Sequence, residues 1–269
     1  MNEINPSFVA LGNRLKGVPE VITLGLKPNF HDYSSRERSL IFRSPLILYP
    51  TLNYAQFFST IGKRIFPSLE NHLYADEKIK QTTLFYMLGL PHPRTRIYYG
   101  SQCREILKDF SPPFIAKLPR ASSRGMGVFF IEGIKDLEAY LDRTRVAYIQ
   151  EYIPHERDLR VILINGDPVL AYWRYSPSGG FKTNVSQGGR ISFESVPDQA
   201  LELARKAAQL CNFDDVGLDL ILHENRWYLI EANMKYGLKG AEKKGMKIRD
   251  IIRKKLLSGE IGGSVSHNR

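Results

Sequence analysis

Residues 215–240 read DVGLDLILHENRWYLIEANMKYGLKG, and their pattern is that of a β-hairpin. An apolar run over 216–222 is interrupted by Gly217 and Asp219, a polar turn follows at His223, Glu224 and Asn225, and a second strand spans 226–232. That strand delivers Glu231 at its end, with Asn233 two residues on. Side chains alternate faces along a strand, so Glu231 and Asn233 share a face if the chain stays extended to that point. A tight hairpin sets Asp219 on the neighbouring strand. Two carboxylates and an amide oxygen converging there make a hard-oxygen set, the kind Mg²⁺ takes when phosphates complete its shell. The same residues also fit a plainer arrangement, with Asp219 in a buried hydrogen bond and Glu231 at a solvated strand end.

Outward from this hairpin, the chain of 269 residues is long enough for a substantial core in two or three closely packed subdomains. No apolar run approaches the ~18–20 residues a membrane span needs. The first twenty residues lack a basic stretch followed by an apolar one, so no secretory signal is expected. Cys103 and Cys211 stand alone without CxxC pairing, which fits a reduced, cytoplasmic setting better than a disulfide scaffold. The net charge of +10 suggests nucleic acid, but nine Lys/Arg against two acids between Lys235 and Lys255 supply +7 of it. A local field of this kind draws an anionic substrate or nucleotide, or it is simply a solvated helix face. With no aromatic stacking platform beside it, nucleic-acid binding is disfavoured.

Residues 1–72 read as a small α/β portion with a structural or substrate-side role. Short apolar runs lie at 21–26 and 46–49, with a polar stretch at 31–39 between them. A helix over 53–63 carries Tyr54, Phe57, Phe58 and Ile61 on one face. From Asp76 a helix with Ile79, Thr83, Tyr86 and Met87 inward runs to Gly89, and Lys78 sits in its first turn, where a cation opposes the helix dipole unless an anion is near. FIAKLPRASSRGMGVFFI (114–131) is a strand ending near Lys117, a small-residue loop at 121–127 and a second strand. Gly125 and Gly127 let backbone amides approach an anion, and Arg124 adds charge, so the loop reads as a phosphate-covering flap or as an ordinary hairpin; it is not a P-loop. After a short helix over 135–143 comes the buried strand YIQEYI (148–153). Glu151 and Tyr152 lie at its end before Pro154, where backbone groups are free to meet a planar base. Asp158 and Arg160 lie on the next strand, NGDP (165–168) turns it, and Arg174 ends the following one. PSGG (177–180) precedes FKTN, with Lys182 and Asn184. An amphipathic helix over 198–211 buries Leu201, Ala204, Ala208 and Leu210 or Cys211. A basic helix over 241–257 places Ile248, Ile251, Ile252 and Leu256 on one face, and 258–269 is a Gly/Ser-rich tail expected to fray.

Taken in order, Lys78, Lys117 with its flap, QEYI, the Asp158/Arg160 pair, Arg174, FKTNVSQGG, VGLDL and LIEAN resemble the ATP-grasp superfamily over roughly 73–257. Within it the sequence is most similar to RimK-type ligases, which attach glutamate or similar amines to carboxylates. The resemblance implies an α/β (α+β) ATP-grasp fold. Its two α+β subdomains, 73–147 and 148–257, would grip ATP after a shortened α/β portion at 1–72. It implies that Lys78 and Lys117 hold the ATP phosphates, that Glu151, Tyr152 and Ile153 meet adenine, and that Asp158 meets ribose. Lys182, Asn184, Val185 and Ser186 would lie against the nucleotide, with Arg160 and Arg174 facing the transferred phosphoryl group or an acyl-phosphate. Asp219, Glu231 and Asn233 would bind two Mg²⁺ ions, with Mn²⁺ as an alternative. The implied partners are ATP, an acidic small-molecule or peptide acceptor and an amine donor such as an amino acid; a homo-oligomer stays open. The family usually follows the metal-binding Asn with a small residue, Ser, Pro and Gly, whereas here Met234, Lys235 and Tyr236 precede Gly237. The other readings left open are a kinase on the same fold and a non-catalytic nucleotide-binding module.

Overall fold

In the computed structural model, which describes residues 8–120, 127–175 and 190–263, three sheets follow one another along the chain. The first is small and parallel. Its strands β1 (Phe8–Ala10), β2 (Val21–Thr23), β3 (Ile47–Leu48) and β4 (Ile65–Phe66) lie in the order β2-β1-β3-β4. Helices α1 (Ser35–Arg43), α2 (Leu52–Thr60) and α3 (Leu69–Tyr74) accompany it. The polar stretch at 31–39 turns out to be mostly α1, started by a capping box. Ser34 accepts from the Glu37 amide, and the Glu37 carboxylate accepts from the Ser34 amide. In α2 the buried stripe is narrow, Tyr54, Ala55 and Phe58, so Phe57 and Ile61 face solvent, contrary to expectation.

Helix α4 (Lys78–Met87) leads into an antiparallel sheet of β5 (Thr95–Tyr99), β6 (Phe114–Lys117), β7 (Val128–Ile131) and β8 (Val146–Glu151), in the order β5-β8-β6-β7. Helices α5 (Ile106–Asp109) and α6 (Ile134–Leu141) complete its core around Phe110, Phe114, Ile131 and Tyr140. The third sheet is antiparallel. It holds β9 (Arg157–Ile164), β10 (Asp167–Tyr175), β11 (Arg190–Ser192), β12 (Asp215–His223) and β13 (Arg226–Asn233), with α7 (Asp198–Leu210) between β11 and β12. The strand order is β11-β10-β9-β12-β13. Both tight turns in it use left-handed residues, Asn165 with Gly166 and Glu224 with Asn225, as two-residue hairpin loops require.

One face of this third sheet is apolar throughout. Leu159, Val161, Leu163, Val216, Leu218 and Leu220 pack there against Ala200, Ala204, Ala207 and Ala208 of α7 and Phe85 of α4. Cys211 is buried with them and Leu210 is exposed, which resolves the alternative left open for that helix. The other face is divided along its length. Toward one end Ile162, Ile164, Leu170 and Tyr172 join Leu15, Val18 and Leu48 of the first sheet region in a common core. Toward the other end the same face carries Asp158, Arg160, Arg174 and Asp219.

Helix α4 departs from the expected face. Lys78, Gln81 and Phe85 are the buried residues, while Tyr86 and Met87 are 77% and 76% exposed. The reason is a hydrogen-bonded contact with the sheet edge. The Gln81 side-chain amide donates to the Ala232 carbonyl at 2.8 Å and accepts from its N–H at 3.1 Å, covering the open side of β13. The basic helix expected over 241–257 is instead two helices, α8 (Lys239–Lys243) and α9 (Ile248–Leu257), separated at Gly245, whose φ of +69° stops a helix. Part of the expected tail is packed: Ile261 is buried with α9 and the first sheet. No helix among the described residues is long and apolar enough to cross a membrane.

Gly240 opens α8 against the ring of buried Tyr172, which a Cβ at that position would overlap. Gly240→Ala is therefore expected to destabilise the protein by ~1–3 kcal/mol through overpacking. Equilibrium urea denaturation measures this, with Gly237→Ala, where a Cβ meets nothing within 4 Å, as the comparison.

Candidate functional site

The charged half of the third sheet is built from residues that stand directly opposite one another. In register, Arg174 of β10 faces Asp158 of β9, and Arg160 of β9 faces Asp219 of β12. Arg174 donates through Nε and Nη2 to the two Asp158 oxygens at 2.6 and 2.7 Å, and through Nη2 it also reaches Asp219 Oδ1 at 3.1 Å. Arg160 makes a bidentate pair with Asp219, its Nη2 donating to Oδ2 at 2.8 Å. Burial alone would push the Asp219 carboxyl up. Arg160 and then Arg174 outweigh that and hold it below the usual carboxylate range. For the Arg174 guanidinium, burial opposes the charge, and Asp158 and Asp219 more than compensate.

A strand irregularity brings Glu231 to the same place. Asp219 pairs with Glu231, but Leu220 pairs with Leu229, so Ile230 is an extra residue in β13. Trp227 and Leu229 point into the apolar core, and without the bulge Glu231 would follow them. With it, Ala232 takes the core position and Glu231 lines the cleft.

That cleft lies between the second and third sheets. Lys117, Gln150, Glu151, Tyr152, Ile153, Asp158, Arg174, Asp219 and Glu231 border it. Lys117, at the end of β6, is only 6% exposed and has the Tyr148 ring 5.7 Å away. Burial lowers its pKa from 10.5 to about 8; Glu231 and Asp219 favour the charge and Lys78 opposes it. Lys78 is buried in the first turn of α4, its Nζ 3.7 Å from Glu231 Oε1, so an anion does stand beside the cation that opposes the helix dipole. At the β8 end, Glu151 is fastened to the Arg94 backbone by its own N–H (2.9 Å) and by Oε1 (2.5 Å), and Tyr152 packs edge-on against Phe130 at 4.8 Å. Asp158 borders the cleft, but both its oxygens are engaged by Arg174, which restricts what a ribose could meet there.

Asp219, Glu231 and Asn233 are hard-oxygen donors on paired strands, with the Asn233 amide donating to Asp219 Oδ2 at 3.1 Å. No cluster of three or more His, Cys, Asp or Glu suited to a cation occurs among the described residues. Two carboxylates and one amide fit Mg²⁺, which keeps waters and phosphate oxygens in its shell, and do not make an all-protein cage. Lys182, Asn184, Val185 and Ser186, and all of the expected flap except Gly127, lie outside the described residues. A second buried group was not anticipated: Arg14, Tyr49, Asp215 and Tyr236. The one signal for it in the chain is an acid, Asp215, at the start of an apolar strand, together with the unusual Tyr236.

Residues 75–257 match the family described as the RimK-like ATP-grasp domain. The chain is 30% identical over 177 residues to a probable alpha-L-glutamate ligase of Citrobacter koseri. It is 33% identical over 178 residues to a ribosomal protein bS6–L-glutamate ligase of Escherichia coli O139:H28. Each match covers 63% of this chain and 59% of the relative, so the similarity spans about three fifths of those proteins. Among solved structures, the ATP-grasp ligase PsnB complexed with minimal precursor, Mg and ADP superposes with a TM-score of 0.70 at 15% identity. That match covers 95% of this chain and 98% of that one.

Lys117 sets a pH dependence. Its folded pKa of about 8 lies below the unfolded 10.5, so the unfolded chain binds more protons between those values. The contribution to stability is complete above 10.5 and is lost as pH falls through 8. If MgATP sets its polyphosphate beside Lys117, the charged form is favoured, and binding near pH 9 is expected to take up a proton. Calorimetry in buffers of different ionisation enthalpy reads that uptake. It should vanish at pH 6.5 and in Lys117→Met.

Proposed function

This chain belongs to the RimK-like ATP-grasp family, and on that premise we propose that it is an ATP-dependent carboxylate–amine ligase. The observation that carries the reading is the single cleft where Lys117, Arg174, Asp219 and Glu231 meet, with Lys78 and Arg160 buried directly behind. Four cations face four carboxylates there, counting Asp158 and Glu151, so the site is balanced by itself and would take a polyphosphate together with Mg²⁺. A carboxylate is a poor electrophile. An acceptor carboxylate oxygen attacks the γ-phosphorus of ATP, the bond from that phosphorus to the β,γ-bridging oxygen breaks, and ADP leaves. An amine nitrogen then attacks the acyl carbon of the resulting acyl-phosphate, loses a proton, and phosphate departs as the amide forms. In this scheme Lys78 and Lys117 hold the phosphates. Arg160 and Arg174, already oriented by Asp158 and Asp219, meet the charge that develops on the transferred group without reorganising. Mg²⁺, held at Asp219, Glu231 and Asn233, would neutralise phosphate charge. Glu151, Tyr152 and Ile153 frame the base, and no nucleophilic Ser or Cys is needed.

The acceptor is read as an acidic small molecule or peptide and the donor as an amino acid. The basic segment contributes less to this than its composition suggests. Lys235 pairs with Asp76, Arg253 with Glu20, and Lys255 with Asp167 and Glu260. Lys239, Lys243, Lys244, Lys247 and Lys254 make no ion pair among the described residues, Lys244 lying over the Phe193 ring, and are the cations left to attract an anion.

Hydroxylamine separates this reading from a hydroxyl kinase and from a binding module. With MgATP and a carboxylate that stimulates ADP release, it is expected to yield a hydroxamate, ADP and phosphate. A stable phosphate ester in place of the hydroxamate would sink the ligase reading. Glu231→Gln is expected to lower ADP release by at least ~100-fold while leaving the circular dichroism spectrum unchanged.

A further inference from the structure

Four side chains from distant parts of the chain meet behind the cleft. Asp215, fully buried at the start of β12, accepts from the Tyr236 hydroxyl at 2.6 Å on Oδ1 and from the Tyr49 hydroxyl at 2.7 Å on Oδ2. Arg14 lies over the Tyr236 ring at 4.7 Å, with Nη2 3.8 Å from Asp215 Oδ1. That nitrogen is buried and has no hydrogen bond among the described residues, so the guanidinium balances the carboxylate through space. Tyr49 holds its place at φ +49°, in the left-handed region that a residue with a side chain seldom adopts.

Tyr236 also reaches the stem of a site arginine through Gly217. A Cβ at Gly217 would lie 2.9 Å from Tyr236 Cβ and 3.2 Å from Arg160 Cδ, so the glycine, the tyrosine and the arginine stem are in close contact. Gly217 is also the register partner of Asn233. An unbroken path therefore runs from the first sheet through Tyr49, Asp215 and Tyr236 to the stem of Arg160, whose guanidinium grips Asp219.

We propose that Tyr236 is a positioning residue: it ties the segment after Asn233 to the first sheet through Asp215 and Tyr49, and it backs the Arg160 stem against Gly217. This rests on the reading of Arg160 as a phosphate-facing group. Arg160 meets the third phosphate in that reading, so a loosened Arg160 costs affinity for a nucleoside triphosphate and spares the diphosphate. The substitutions are Tyr236→Phe, which keeps the ring under Arg14, and Asp215→Asn, which keeps the shape. Tyr33→Phe is the control, since it removes a hydroxyl bonded to Gly25 within the first sheet's own core, away from the cleft.

Calorimetry with Mg²⁺ compares AMPPNP with ADP, and hydrogen exchange follows residues 234–238. In both variants the preference for AMPPNP over ADP is expected to fall about fivefold, the scale of one net hydrogen bond. Exchange at 234–238 should rise about tenfold as local opening becomes easier. Tyr33→Phe should change neither. An unchanged preference together with unchanged exchange overturns the proposal. A faster exchange with an unchanged preference also overturns the link to Arg160. A wild-type protein that binds neither nucleotide removes the reading of the cleft, and unchanged exchange in the variants would then overturn the anchor by itself.

Discussion

The ion network across three neighbouring strands is the constraint around which the third sheet is arranged. Asp158, Arg174, Asp219 and Arg160 carry two charges of each sign, and all are nearly excluded from water. Such a set adds little net stability, because desolvation offsets most of the attraction, but removing any single member strands a buried charge. Neutrality and register hold it together. Each arginine stands opposite its aspartate on the adjacent strand, so a one-residue slip of any of the three strands would turn its charged side chains into the apolar face. The network and the hydrophobic core thus enforce one pairing of β9, β10 and β12.

Around that neutral centre the remaining charges are peripheral. Lys117 and Lys78 come from the other sheet and its preceding helix, and Glu231 comes from the bulged strand. Lys117 and Lys78 reach the cleft from outside the third sheet, whereas Glu231 belongs to its edge strand. The third-sheet network therefore has its charges matched internally, and the two lysines are supplied to the cleft from outside that sheet.

Much of this was legible in the chain itself, because the third sheet is made of long strands whose charged residues interrupt otherwise apolar runs. Asp219, Arg160 and Arg174 are conspicuous for that reason. What escaped notice follows from contacts that periodicity does not encode. The inward face of α4 is defined by Gln81 bonding the backbone of Ala232, so a polar residue is buried while Tyr86 and Met87 are exposed. Glu231 has the same parity as core residues Trp227 and Leu229, and only the extra residue Ile230 frees it. In the first 72 residues the strands are two or three residues long, too short to show alternation, and their order depends on partners remote in sequence. The Asp215 group left only a faint trace in the sequence for the same reason: Arg14, Tyr49 and Tyr236 acquire meaning only once the first sheet lies on the third.

The core shared between those two sheets bears on how the chain is made. Val18, Leu46 and Leu48 leave the ribosome well before their covering partners Ile162, Tyr172, Ile252 and Ile261. At ordinary elongation rates of about 5–20 residues per second, that apolar face waits roughly ten to forty seconds before the last of them is synthesised. During vectorial synthesis the first sheet thus precedes its cover and keeps an unsatisfied side, exposed to holding chaperones and to neighbouring nascent chains. A cut at residue 72 would create the same bare surface permanently on both fragments. For this chain the unit of folding is larger than either sheet, and its N-terminal portion is completed by its C-terminal helices.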